Sequence, residues 1–133
     1  MKKILVTGAN GQLGNSIRIL SEQYAQFVFI FTDVDTLDIC NLSAVRDFMK
    51  KNEVSYVLNC AAYTAVEKAE DNKELCELIN RDAVRILGMM ATEVGAKVIH
   101  ISTDYVFNGM NYRPYVESDQ TAPVSVYGET KLA

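Results

Sequence analysis

Near the C-terminal end of the sequence, "VYGETKLA" sets Tyr127 and Lys131 four residues apart. On a helix that spacing puts both side chains on one face. An ammonium beside a phenol favours the phenolate and lowers a pKa that ordinarily lies near 10, so the pair could pass a proton at neutral pH. A third polar group comes from "STDYVF", where Thr103 ends an apolar run. Its hydroxyl can donate to the same carbonyl oxygen that Tyr127 would protonate. Three such groups suit the reduction of a carbonyl, provided something else on the chain holds a hydride source.

The stretch "TGANGQLG" is the candidate for that second task. Gly8, Gly11 and Gly14 fall three residues apart, between an apolar strand pattern and a helical one. A loop without side chains lets backbone N–H groups approach a dinucleotide pyrophosphate, and the helix N-terminus adds partial positive charge. Gly14 would let the helix pack close to the sheet. Asp33 follows Gly14 by 19 residues, where a carboxylate can accept hydrogen bonds from an adenosine ribose. It would also repel a 2′-phosphate, which favours NADH over NADPH. Asp35 and Asp38 compete for the role, and no basic residue lies between Asp33 and Asp38 to take the extra phosphate.

These groups need a scaffold that brings residues 8, 33, 103 and 127 together. Apolar runs "KKILVTG", "FVFIFTD", "SYVLNCAA" and "KVIHIST" read as four buried strands. Leu13, Ile17, Leu20 and Tyr24 lie at helical spacing after the first. "NLSAVRDFMKKN" follows the second, with Asn41 or Ser43 as cap and Val45, Phe48 and Met49 on one face. From about Lys73 to Val94 a broad apolar stripe runs to Gly95, a plausible terminator. Residues 104–126 are turn-rich, with Gly109, Pro114 and Pro123, and a helix starts near Tyr127. Strands that alternate with helices predict an α/β fold with a doubly wound parallel sheet, helices on both faces and a Rossmann-type order of 3-2-1-4 for the strands present.

Composition narrows the partners. With 133 residues the chain is one domain at most, and 49% apolar and 23% charged residues are ordinary for a globular protein. A net charge of −4 argues against nucleic acid or an anionic membrane surface as partner. No apolar run approaches the ~20 residues that span a bilayer, and the apolar stretch after Lys2 and Lys3 is too short for a signal peptide. Cys40, Cys60 and Cys76 are odd in number and widely spaced, and with His100 alone they make a poor metal set. They read as free thiols of a reducing cytoplasm. His100 reads as a hydrogen-bonded structural histidine.

Taken together, the glycine loop at 8–14, "NCAA" at 59–62, "STDYVF" at 102–107 and "YGETK" at 127–131 resemble the extended short-chain dehydrogenase/reductases, over essentially the whole chain. The wording "AAYTAVEKAE" and "STDYVFNG" is most similar to the branch that reduces 4-keto-6-deoxy sugars carried on dTDP. The resemblance implies NADH or NADPH as cofactor and conversion of dTDP-4-dehydrorhamnose to dTDP-L-rhamnose. It assigns catalysis to Thr103, Tyr127 and Lys131; Tyr127 and Lys131 also count among the cofactor contacts, and the Lys131 ammonium could bind the nicotinamide ribose hydroxyls. Gly11, Gln12 and Leu13 would touch the pyrophosphate, Asp38 and Ile39 the adenine, and Ala61, Ala62 and Thr64 the rest of the cofactor. Asp104 and Tyr105, with Thr103, would face the sugar nucleotide.

Asn80, in "LINRDA", matches a helix asparagine of that family and is read as structural. Members of the family continue well past the Tyr–Lys helix, so the chain is expected to be the N-terminal portion of the cofactor domain. It would lack the remaining strands and the substrate domain, and be inactive alone; a homodimer is open for the full-length protein. The last helix is too short to persist without packing. Two rival readings stay open: another nucleotide-sugar epimerase or dehydratase, and a non-catalytic nucleotide-binding subunit.

Overall fold

The computed structural model describes residues 1–110 and 113–133. The expected loop at 104–126 therefore includes two residues, Asn111 and Tyr112, outside the described set. Four parallel strands form one sheet: β1 (Lys2–Thr7), β2 (Phe27–Phe31), β3 (Tyr56–Asn59) and β4 (Lys97–His100). Their lateral order is β2-β1-β3-β4. The fold is Rossmann-type and doubly wound, as the alternation predicts, but in chain numbering the third strand lies against β1, not outside β2 as 3-2-1-4 would have it. The reason is local. After β2 the chain closes tight turns, with Thr36 and Leu37 N–H groups on the Asp33 carbonyl at 2.9 and 2.8 Å. Cys40 N–H then bonds the Asp38 carboxylate at 3.0 Å. Nothing extended is left to pair with the outer edge of β2.

The helices follow from the crossovers. α1 (Gln12–Ser21) leads to β2, and α2 (Leu42–Lys51) carries the chain back over β1 to β3. Reversing direction with right-handed connections puts the two helices on opposite faces. Asn41, not Ser43, caps α2: its side-chain oxygen accepts from Ala44 N–H at 3.1 Å. Next come α3 (Val66–Ala69), α4 (Lys73–Glu77), a π-helical turn (Leu78–Asp82) and α5 (Ala83–Val94), which ends at left-handed Gly95. A 3₁₀ turn (Asp104–Val106) and α6 (Val126–Leu132) complete the set.

The core lies on the α2–α5 face. Cross-strand neighbours Leu5, Val57 and Val98 point the same way and meet Val45 and Met49 of α2 and Leu87 and Met90 of α5. The opposite face is covered less completely. There α1 lays Arg18 over Phe31, Ile99 of β4 is 52% exposed, and Leu20 and Tyr24, expected in the stripe of the first helix, are about half exposed. Burial is thus uneven: one face is packed and the other is open toward β4.

Candidate functional site

From the C-terminal ends of β1 and β3, which stay paired as far as Thr7 and Asn59, the chain leads to opposite sides of the sheet. A crevice of about 920 Å³ opens at this switch point, within the range of small-molecule and cofactor sites. Its lining joins Gly8, Gly11, Gln12 and Leu13 with Asp33, Asp38 and Ile39. Ala61, Ala62 and Thr64 close the β3 side, and Tyr127 and Lys131 stand at the far end. Twelve residues expected at the cofactor from sequence therefore share one cavity. Gly14, the thirteenth, does not line it.

The glycine loop is shaped by backbone. Gly8 sits at φ +59°, and a Cβ there would lie 2.6 Å from the Ala61 backbone. Neither the conformation nor the approach of β3 tolerates a side chain. Gly14 is needed for a different reason: its Cβ would lie 2.5 Å from Ala9, so the close seating of α1 on the loop depends on its absence. Ala9 N–H donates to the Thr32 carbonyl at 2.9 Å, and Asn10 N–H donates to Asp33 Oδ2 at 3.0 Å. Val34 N–H holds Oδ1 at 2.8 Å. The carboxylate singled out for a ribose is thus fixed in place. Asp38 lies nearby in the lining, and its Oδ1 is engaged by Cys40 N–H.

Beneath the crevice a polar chain crosses three strand ends. Thr7 Oγ1 donates to Asn59 Oδ1 at 2.6 Å, and Asn59 Nδ2 approaches His100 Nδ1 at 3.1 Å. An amide nitrogen can only donate, so His100 accepts and is neutral at that nitrogen. Burial first, and the Lys131 ammonium second, hold the imidazole pKa below its ordinary value. The expected structural role of His100 matches this geometry.

The Tyr–Lys helix is built by distant residues. Ser125 Oγ accepts from Gly128 N–H at 3.0 Å and Glu70 Oε1 accepts from Val126 N–H at 2.9 Å, so two unpaired donors of a seven-residue helix are satisfied. Thr130 is buried; its hydroxyl donates to the Tyr127 carbonyl at 3.0 Å and meets Asn80 Nδ2 and Cys76 Sγ, each at 3.1 Å. Asn80, 2% exposed in the middle of the π turn, also accepts from Tyr63 N–H at 2.8 Å and reaches the Tyr63 carbonyl at 3.1 Å. The mid-helix asparagine is therefore a clamp between the β3 loop and α6, consistent with its structural reading. Its connection to Thr130 was not visible in the sequence, because nothing in the spacing of residues 80 and 130 signals contact.

Lys131 is 8% exposed, and no carboxylate pairs with its ammonium among the described residues. Burial pushes its pKa down from the ordinary lysine value. A buried, unpaired cation at the edge of a cavity is costly to the fold and is a mark of a site that expects a ligand or a reacting neighbour. The ring of Tyr127 packs edge-to-face on Tyr105, centroids 5.6 Å apart. Thr103 is outside the crevice lining, although its neighbour Ser102 is in it. The Thr103 hydroxyl caps the 3₁₀ turn, accepting from Tyr105 N–H at 3.3 Å. Asp104 and the half-exposed Tyr105 lie on that turn, outside the lining. Sequence reasoning missed Leu75, Leu78 and Ile79, which line the crevice from α4 and the π turn. Leu75 and Ile79 belong to the apolar helical stripe, and Leu78 lies outside it.

The whole chain, residues 1–133, matches the family described as the RmlD substrate binding domain. The dTDP-4-dehydrorhamnose reductase of Shigella flexneri is 41% identical over 134 residues, covering 98% of this chain and 44% of the relative. Among solved structures, the dTDP-4-dehydrorhamnose reductase of Clostridium acetobutylicum superposes with a TM-score of 0.93 at 45% identity, covering 98% of this chain and 46% of that one. That of Bacillus anthracis, solved in complex with NADP, gives 0.92 at 36% identity, covering 99% and 47%. The chain thus spans somewhat less than half the length of these relatives.

Proposed function

The chain belongs to the RmlD substrate binding domain family, and on that premise we propose that it is the cofactor-binding part of a reductase that acts on dTDP-4-dehydrorhamnose to give dTDP-L-rhamnose. The relatives named for that activity support the substrate. The observation that carries the reading is the shared crevice, lined both by the glycine loop and by Tyr127 with a buried ammonium that no carboxylate pairs among the described residues. The residues fit a nicotinamide dinucleotide. Gly8 leaves its loop bare where a Cβ would strike Ala61, and Asp33 presents a fixed carboxylate at the end of β2. When bound, NADH or NADPH supplies the hydride.

The chain's own residues supply the rest. Gly8, Gly11 and the first amides of α1 hold the pyrophosphate, with Gln12 and Leu13 against it, and Asp33 takes the adenosine ribose. Ile39 and Asp38 bound the adenine; Ala61, Ala62 and Thr64 form the opposite wall. Lys131 donates to the second ribose and holds positive charge beside Tyr127, stabilising the phenolate left once the Tyr127 hydroxyl has given its proton to the C4 oxygen. Thr103 orients that oxygen, and Asp104 and Tyr105 face the sugar nucleotide. For Thr103 this requires its hydroxyl proton to turn from the long 3.5 Å contact with Asp104 Oδ1, while its oxygen still accepts from Tyr105 N–H. Among the described residues no helix is long and apolar enough to cross a membrane, and free thiols at Cys40, Cys60 and Cys76 support a reducing, cytoplasmic setting. A homodimer of the full-length protein belongs to the same proposal.

The test is Tyr127→Phe in the full-length protein, with oxidation of NADH or NADPH followed on dTDP-4-dehydrorhamnose. Turnover should fall at least about 100-fold, the scale of a lost general acid, while dinucleotide binding persists. Near-normal turnover overturns the mechanism.

A further inference from the structure

Asp33 alone argues for a dinucleotide with free ribose hydroxyls, because a carboxylate repels a 2′-phosphate. It cannot turn away from one, since Asn10 and Val34 N–H groups hold both of its oxygens. Yet a cation is joined to the same corner through Asn10. Arg18 reaches back from the second turn of α1 across the face of Phe31, its guanidinium carbon 4.9 Å from the ring centroid. Nη1 donates to Asn15 Oδ1 at 2.9 Å and Nη2 makes a long contact of 3.4 Å with Asn10 Oδ1. Asn10 is therefore the shared neighbour: its backbone holds the carboxylate and its side chain meets the guanidinium.

We propose that Arg18 receives the 2′-phosphate of NADPH, so that the ribose corner formed by Asn10, Arg18 and Asp33 accepts both dinucleotides. The inference rests on the dinucleotide reading above and deepens it. Three features support it. The partners of Arg18 are neutral amide oxygens, and among the described residues no carboxylate pairs with it, so its charge is not cancelled locally. A guanidinium has five N–H donors, and two are engaged, which leaves donors for a phosphate in the planar fork that suits one. The guanidinium rests over the Phe31 ring, and Arg18 is exposed and lies outside the crevice lining.

The segment after β2, from Val34 to Leu37, contains no cation to bind that phosphate. The cation comes from the helix of the preceding crossover instead. A free adenosine ribose uses Asp33, and a phosphorylated one uses Arg18 with Asn10.

Equilibrium titrations of the full chain with NADH and with NADPH, read by nicotinamide fluorescence, separate the outcomes. Arg18→Gln, which keeps a side chain over Phe31 and removes the charge, should weaken NADPH about 10-fold and NADH less than twofold. Arg18→Lys should fall between. A general loss of fold weakens both ligands equally and leaves their ratio unchanged. A ratio within twofold of the unmodified chain's overturns the proposal, as does an unmodified chain that binds NADH but not NADPH. An unmodified chain that binds neither removes the dinucleotide reading itself, and this inference with it.

Discussion

The two ends of the crevice are made in different ways. The glycine end is a product of backbone: Gly8 at positive φ, Gly14 against Ala9, and amide donors at the start of α1. Its residues lie within seven positions of one another, and Asp33 joins through one short loop-to-strand contact. The Tyr–Lys end is a product of side chains drawn from far along the chain. Glu70 holds the first turn of α6 across 56 residues, and Asn80 and Cys76 hold Thr130 across 50 and 54. One end is therefore specified locally and rigidly. The other exists only if α3, α4 and the π turn are already in place, and it carries the added cost of a buried ammonium.

The sharpest break of this contrast is Gly8→Ala. A Cβ 2.6 Å from backbone atoms of Ala61 cannot be relieved by rotating a side chain, and φ +59° adds strain. The expected loss is about 3 kcal/mol or more of unfolding free energy, with dinucleotide binding abolished. Urea unfolding and a fluorescence titration measure both. A variant that binds normally would show that the loop is not the cradle.

Asn80→Leu tests the other end. It leaves Tyr63 N–H without its acceptor and takes a donor from Thr130 in a buried setting, for an expected cost of roughly 2–3 kcal/mol. The informative readout is local. Amide hydrogen exchange should accelerate across α6 and around Tyr63 while β1 and the start of α1 keep their protection. Uniform acceleration everywhere, or none in α6, would mean that the two ends are not built separately.

The same contrast explains what could be read from the sequence. Strand and helix positions follow from apolar period, and the glycine cradle follows from three residues whose meaning is local. Asn41 and Ser43 are both caps by type and position, and only the contact with Ala44 N–H separates them. Strand order was harder, because whether the segment after Asp33 extends or turns depends on hydrogen bonds among Asp33, Thr36 and Leu37. The crevice wall from Leu75, Leu78 and Ile79 was invisible, since apolar residues at helical spacing look identical whether they face a core or a ligand. Thr103 was legible as a strand-end hydroxyl, but its engagement with Tyr105 N–H was not.

The smallest effect probes the place where the two ends meet. His100 accepts from Asn59, whose own oxygen takes the Thr7 hydroxyl, so the imidazole is locked neutral at Nδ1. Its pKa is lowered in the folded state, by burial first and by Lys131 second. A group with a depressed folded pKa binds fewer protons folded than unfolded. Stability is therefore full above the unfolded value, about 6.5 for histidine, and declines as pH falls from there toward the folded pKa. One proton limits the slope to about 1.4 kcal/mol per pH unit. Urea midpoints measured at pH 7.5, 6.5 and 5.5 should fall, and His100→Gln, which keeps an acceptor for Asn59 without a proton to gain, should flatten the decline. Because Asn59 ends β3 next to the Ala61 contact of Gly8, protonating His100 should also loosen dinucleotide binding, with α6 still folded by hydrogen exchange. Parallel pH profiles for the two proteins would place the coupling between the ends elsewhere than through these three strand-end side chains.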